Sequence, residues 1–270
     1  MSDFKINFSL QPPKKIKPFG EKPDYSLHWF GLTDGILSID VCGRTIYEYS
    51  AAAQKYFKLR HRYNDYYISR FMEDFFDTFG AVGQAVPKEL YCALDGFDAM
   101  CEKWEDMHAD DSDEIFDKFY FEDLCGLRGW YDERTFDSSH LTGGPMIGCF
   151  RHGDKIKIIW NGEYKLDNGA DLWSAPSGCA EIPYSHFTSA VNDFYREFFA
   201  AMDRQCEIAP TAINKKIRLD APLLSQENDE RKRAFSRCLD YLYSPSKNYD
   251  WDKIMSLYEK MKKQLKGGFD

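Results

Sequence analysis

The chain has 270 residues, 43% of them hydrophobic and 29% charged, with a formal net charge of −9, which supplies a sizeable core and excludes a disordered chain. Nucleic-acid binding draws on Lys and Arg to displace counterions, so this acidic balance argues against nucleic acid as a partner. Mean hydropathy is −0.56, no apolar run approaches the roughly 20 residues that span a bilayer, and the first ten residues lack a signal-peptide core. The expectation is a cytoplasmic protein that does not engage membranes.

Large rings should dominate the packing, given 21 Phe, 17 Tyr and 6 Trp. Residues 27–49 read as a β-meander of three short strands. Asp34-Gly35 has the composition of a two-residue hairpin turn and Cys42-Gly43 offers a second. Between them Leu37, Ile39 and Val41 alternate with Ser38 and Asp40, which gives one apolar face. Helical spacing follows at Ile68, Phe71, Met72, Phe75 and Phe79, with Asn64 or Asp65 as the expected N-cap and Gly80 as the stop. A second helix should start at Pro87 and bury Leu90, Leu94, Phe97, Cys101 and Trp104.

Strands return at 146–150 and 155–160 around the turn His152-Gly153-Asp154, and residues 172–175 suggest one more. Ser185 is the expected N-cap of a helix carrying Phe187, Val191, Phe194, Tyr195, Phe198 and Met202. After a polar connection at 225–230, one helix carries Phe235, Cys238, Leu239 and Leu242. Another, capped by Asp250, carries Trp251, Ile254, Tyr258, Met261 and Leu265, with Lys260, Lys262 and Lys263 at the negative end of its dipole. Two hairpin blocks with intervening and C-terminal helices define an α+β class with a mostly antiparallel sheet. The expected organisation is an α+β domain over 1–205 with a helical extension, 206–270, packed on it, because the last apolar stripe needs a surface to cover.

Catalytic signatures are missing. Neither glycine-rich phosphate loop occurs, nor H-E-x-x-H, nor G-x-S-x-G, so no nucleotide cofactor is expected and a non-catalytic protein is favoured. The eight cysteines do not cluster and are expected to be reduced, with Cys101 and Cys238 acting as buried apolar groups. Cys149 and His152 form the sole short-spaced ligand pair, with Cys125 and His140 as remote additions. Structural zinc wants two such pairs, so no metal is expected. His28 reads as a solvent-facing strand residue and Asp34 as a turn residue, leaving Asp40 and Asp171 as carboxylates near strands. Arg151, Lys155 and Lys157 should solvate a sheet face, with anion binding as the alternative.

The strongest local signal lies at 102–123, where ten acidic residues stand against Lys103 and Lys118, a sum of −8, interleaved with Phe116, Phe119, Tyr120 and Phe121. Charge with rings is the composition of a docking surface. Asp110, Asp111, Asp113, Glu114, Phe116, Asp117, Phe119 and Tyr120 are therefore the candidate partner-binding residues, with a basic protein as the expected partner and a solvated loop as the alternative.

The run Leu27-His28-Trp29-Phe30-Gly31-Leu32-Thr33-Asp34-Gly35 resembles the opening motif of a bacterial family known only as a domain of unknown function. Residues 145–160, Pro-Met-Ile-Gly-Cys-Phe-Arg-His-Gly-Asp-Lys-Ile-Lys-Ile-Ile-Trp, are similar to its later hairpin, and the Phe-rich helix at 187–202 matches in position and pattern. The likeness covers about residues 10 to 205 and leaves out the acidic segment and the helices after 225. It implies a bacterial origin and a shared fold without a reaction. By analogy with other acidic bacterial proteins of this size, an immunity-type inhibitor that binds a toxin is the expected function. An enzyme with an unfamiliar site near the 27–49 and 145–160 hairpins and a structural assembly subunit are the alternatives.

Overall fold

The alternation at Leu37, Ile39 and Val41 belongs to a long strand, β2 (Asp34–Val41), whose odd-numbered side chains are buried along this stretch. In a computed structural model that describes residues 3–267, the principal partner of β2 is β1 (Phe4–Leu10), paired antiparallel from Phe4↔Val41 to Leu10↔Gly35. Two short strands share the other edge of β2: β3 (Arg44–Ile46) and β4 (Asn64–Tyr67). The Cys42-Gly43 turn is present, with φ of 45° and 82°, as a two-residue hairpin of the primed type requires.

The Asp34-Gly35 turn is not. Trp29–Leu32 forms a single helical turn, α1, and Asp34-Gly35 opens β2. Gly35 is small for a different reason, since a Cβ there would come 2.5 Å from the Ser9 carbonyl oxygen on β1.

The helix expected near 68 runs as α3 (Ile68–Asp77) and continues into α4 (Phe79–Val82). Asn64 and Asp65 do not cap it, because both lie in β4, and Gly80 lies inside α4. An unforeseen helix, α2 (Ala51–Phe57), is capped by Ser50, whose Oγ accepts from the Ala53 N–H at 3.0 Å. The second expected helix is α5 (Lys88–Asp106), with Pro87 at the N-cap, and its five predicted stripe residues are all buried. Then come α6 (Asp113–Lys118), a π-helical turn (Phe119–Leu124) and α7 (Cys125–Asp132).

The second sheet is antiparallel in the order β5 (Thr135–Asp137), β6 (Met146–His152), β7 (Lys155–Asn161), β8 (Ser177–Pro183). Its last strand is 177–183, not 172–175. The latter stretch is irregular and touches the first sheet through a bridge between Tyr49 and Trp173. Both faces of this sheet are covered. Ile147, Cys149, Ile156, Ile158 and Trp160 enter the larger core shared with the first sheet, whereas Phe150 and Ile159 meet a second core built by α5, α7 and the last helix. Burial on two faces explains why the strands read as near-continuous apolar runs.

The helix α8 (Tyr184–Ala212) starts one residue before Ser185, which is therefore not its cap, and crosses residue 205 without a break. Its rings pack on the first sheet, where Phe187 lies 5.3 Å from Phe4 and Phe194 lies 5.6 Å from Phe8, centroid to centroid, and the helix also touches β7 and β8 of the second. Residues 225–230 are not a connection but part of α9 (Ala221–Tyr241), where Asn228 is buried and accepts from Trp29 Nε1 at 3.0 Å. Leu224, Phe235, Leu239 and Leu242 join the first core. Ile254, Tyr258 and Met261 of α10 (Trp251–Gly267) join the second. Asp250 caps α10 as expected, accepting from the Lys253 N–H at 3.0 Å.

Candidate functional site

The acidic segment is ordered by its apolar residues. Trp104, near the end of α5, is fully buried and donates from Nε1 to Gln264 Oε1 on α10 at 2.6 Å. Phe119 packs edge-on to Trp104 at 4.9 Å and stacks on His108 at 3.9 Å. The next inward residue is Leu124. Phe119 and Leu124 are five apart, which an α-helix would place on different faces, and the π-turn brings them to the same side. Lys260 on α10 donates to Asp123 Oδ2 at 2.5 Å, so α10 supports the segment at both ends.

Folding sorts the predicted docking residues. Phe119 is core, and Phe116 and Tyr120 are half-buried with their rings stacked at 6.0 Å. The most exposed apolar residues of the segment are Ile115 at 57% and Phe121 at 69%; Phe121 is one of the four rings noted in the sequence, but neither residue is among the eight candidates. Asp110, Asp113, Glu114, Asp117 and Glu122 are exposed in the same segment, and among the described residues none of the five has a cation within ion-pair distance. Asp111 is engaged, 2.7 Å from His108 Nδ1. Asp113 and Glu114 occupy the first turn of α6, where negative charge opposes the helix dipole favourably. The result is a small apolar surface, Ile115 and Phe121, set among unpaired carboxylates. Chemically it suits contact with apolar and basic groups.

The other candidates are dispersed. Cys149 and His152 are three apart on a strand and so face opposite sides. Cys149 lies in the first core, where burial pushes its thiol up to about 12, and His152 Nδ1 lies 2.8 Å from the Val86 carbonyl oxygen. Side chains on opposite faces of one strand do not converge on a common ion, so the pair does not assemble a centre. The three cations of this hairpin are engaged inside the protein. Lys155 pairs with Glu181 at 2.6 Å and Lys157 with Asp95 at 3.2 Å, while Arg151 donates to the Gly83 carbonyl at 2.7 Å. His28 is exposed, stacked on Phe19 at 4.6 Å. Asp40 accepts from Asn7 and Thr45, and Asp171 pairs with Lys165.

Sequence reasoning also missed a cleft of about 350 Å³ bordered by Arg70, Asp74, Asp77, Asp132, Glu133 and Lys247. Burial raises the carboxyl pKa of Asp74 despite the nearby Arg70. At Glu133 burial is outweighed by hydrogen bonds from Tyr249 and Lys247, which hold its carboxyl below the ordinary value. Beside it Arg134 is fully buried, its guanidinium 4.7 Å from the Tyr249 ring centroid and 5.6 Å from that of Trp251. These residues come from α3, α7 and the segment before α10, with no spacing in the sequence to connect them.

Two antiparallel four-stranded sheets, with helices between and after them, define an α+β protein, and among the described residues no helix is long and apolar enough to cross a membrane. The chain belongs to a family of unknown function, DUF5984, whose profile matches residues 5–257. That match runs well past residue 205 and takes in the acidic segment, α9 and part of α10, so the family likeness is wider than the motifs alone imply. No curated protein and no solved structure matches the chain.

Proposed function

We propose that this chain is a non-catalytic protein-binding protein that docks a basic partner protein on the surface formed by residues 110–122. The observation that carries the reading is the exposure of Ile115 and Phe121 among five carboxylates without ion-pair partners. Exposed apolar groups provide contact area, and the surrounding charge steers encounter and rejects acidic competitors. In its finer form the proposal is a bacterial, cytoplasmic, immunity-type inhibitor that neutralises a toxin by covering a basic surface. The test is to recover partners with the native chain and with an Ile115→Ser/Phe121→Ser variant, and to identify them by mass spectrometry. A basic protein that the variant fails to retain is the expected result. A partner retained equally by a variant with a native circular dichroism spectrum overturns the proposal.

A further inference from the structure

The α2 helix and the residues after it form a second exposed surface of opposite character. Between Tyr49 and Asn64 the sequence holds Lys55, Lys58, Arg60 and Arg62 and no acidic residue, in a chain whose net charge is −9. Lys58 ends α2 in the left-handed conformation, φ 56°, which turns the chain back across the surface. Arg62 is answered by Glu48. Among the described residues Lys55, Lys58 and Arg60 have no carboxylate within ion-pair distance. Between these cations lie Tyr56 and Phe57, 42% and 45% exposed and packed edge to face at 5.0 Å. The Tyr56 hydroxyl donates to Asp167 at 3.1 Å, which fixes that ring on the surface.

We infer that this basic aromatic surface docks the acidic surface at 110–122 of a second copy of the chain, giving head-to-tail self-association. The inference rests on the acidic surface being a docking surface and names one partner for it. Three free cations around Tyr56 and Phe57 complement five free carboxylates around Ile115 and Phe121. Each surface offers two large apolar side chains, so contact buries ring and aliphatic area while pairing charges that have no partner in the monomer. The two surfaces belong to different packing units: Ala53 of α2 is buried in the first core, while Phe116 and Phe119 pack on the second. No hydrogen bond or ion pair links them within one chain among the described residues. A contact between two different patches is heterologous, so it propagates into a ring or a chain of subunits. A free polyanion such as nucleic acid is less favoured by this chain, because the net charge outside 55–62 is more negative still.

Sedimentation equilibrium on the full chain at about 0.1 M and about 1 M salt tests the inference, since the Debye length falls from about 10 Å to about 3 Å over that range. One variant carries Lys55→Glu, Lys58→Glu and Arg60→Glu; another carries Asp113→Lys, Glu114→Lys and Asp117→Lys. Self-association of the native chain that weakens with salt is expected, reduced on the order of tenfold or more in each variant alone. Mixing the two variants should restore it, because each then meets a complementary surface. A native chain that stays monomeric at low salt overturns self-docking, as do variants that associate like the native chain or fail to associate when mixed. Such a result leaves the acidic surface free to bind a basic protein instead of a second copy, which the Ile115/Phe121 recovery experiment decides separately.

Discussion

Arg134 stands out among single residues because a charged side chain is fully buried without a carboxylate in direct contact. Its Nη1 donates to the Trp130 carbonyl at 2.7 Å and its Nη2 to the Gln84 carbonyl at 3.2 Å, inside a box of Trp130, Tyr249 and Trp251 rings. Burial pushes the guanidinium down to about 10, with Tyr249 and Glu133 opposing. A planar fork spans two fixed carbonyls while lying flat against rings, whereas a compact ammonium is a point charge that cannot stack. Arg134→Lys should therefore lower stability by about 2 kcal/mol, read as a lower urea midpoint, and an unchanged midpoint contradicts this role. Asp74 presents the reverse case, since its Oδ2 is buried without a hydrogen-bond partner and its folded pKa lies above the ordinary 3.8. The folded state then binds the proton more tightly than the unfolded state, so this group makes stability fall as pH rises from 3.8 through the folded value. Asp74→Asn should raise the urea midpoint at pH 7, and the gain should vanish below about 3.8. A gain that persists in acid would mean that the charge is not its cause.

Among the elements, those written by local periodicity were legible and those set by long-range pairing were not. The α5 stripe, the β6–β7 hairpin, the Cys42-Gly43 turn and the Asp250 cap all follow from nearby residues. Strand β1 was missed because its partner lies about thirty positions away, and that same pairing turned Asp34-Gly35 from a turn into the start of β2. Ser225–Glu230 looked like a linker because α9 buries only a narrow set of residues, Leu224, Asn228, Phe235 and Leu239. Two changes test the local rules. Cys42 sits at positive φ in the β2–β3 turn, so Cys42→Asn should stabilise by a few tenths to about 1 kcal/mol, and a destabilised variant would show the thiol to be needed there. Deleting Glu122 brings Phe119 and Leu124 to a spacing of four, which an ordinary α-turn accommodates. Thermal unfolding of this deletion should match or exceed the native midpoint, and a large loss would show that the π-turn is required by more than spacing.

Across the whole molecule, α10 is the element that relates fold to docking surface, since Gln264 holds Trp104 and Lys260 holds Asp123. Limited proteolysis should leave α10 protected, because Ile254, Tyr258 and Met261 are buried in the second core, and its early release would contradict that packing. The acidic segment and its rings were visible in composition, but which of them would be exposed was not, because exposure depends on how the π-turn rotates Phe119 inward and leaves Phe121 outside. The basic segment after α2 was overlooked for a related reason, as four cations in eight residues attract attention only once Tyr56 and Phe57 are seen to be exposed. An acidic surface that steers a basic protein partner acts on the association rate constant. This constant should be measured for the native chain and for the Asp110→Lys, Asp111→Lys, Asp113→Lys, Glu114→Lys variant against the recovered partner, at about 0.1 M and about 1 M salt. A native rate that falls steeply with salt and a variant that is slow at both concentrations are expected, whereas equal rates for native chain and folded variant at low salt would contradict steering by this surface.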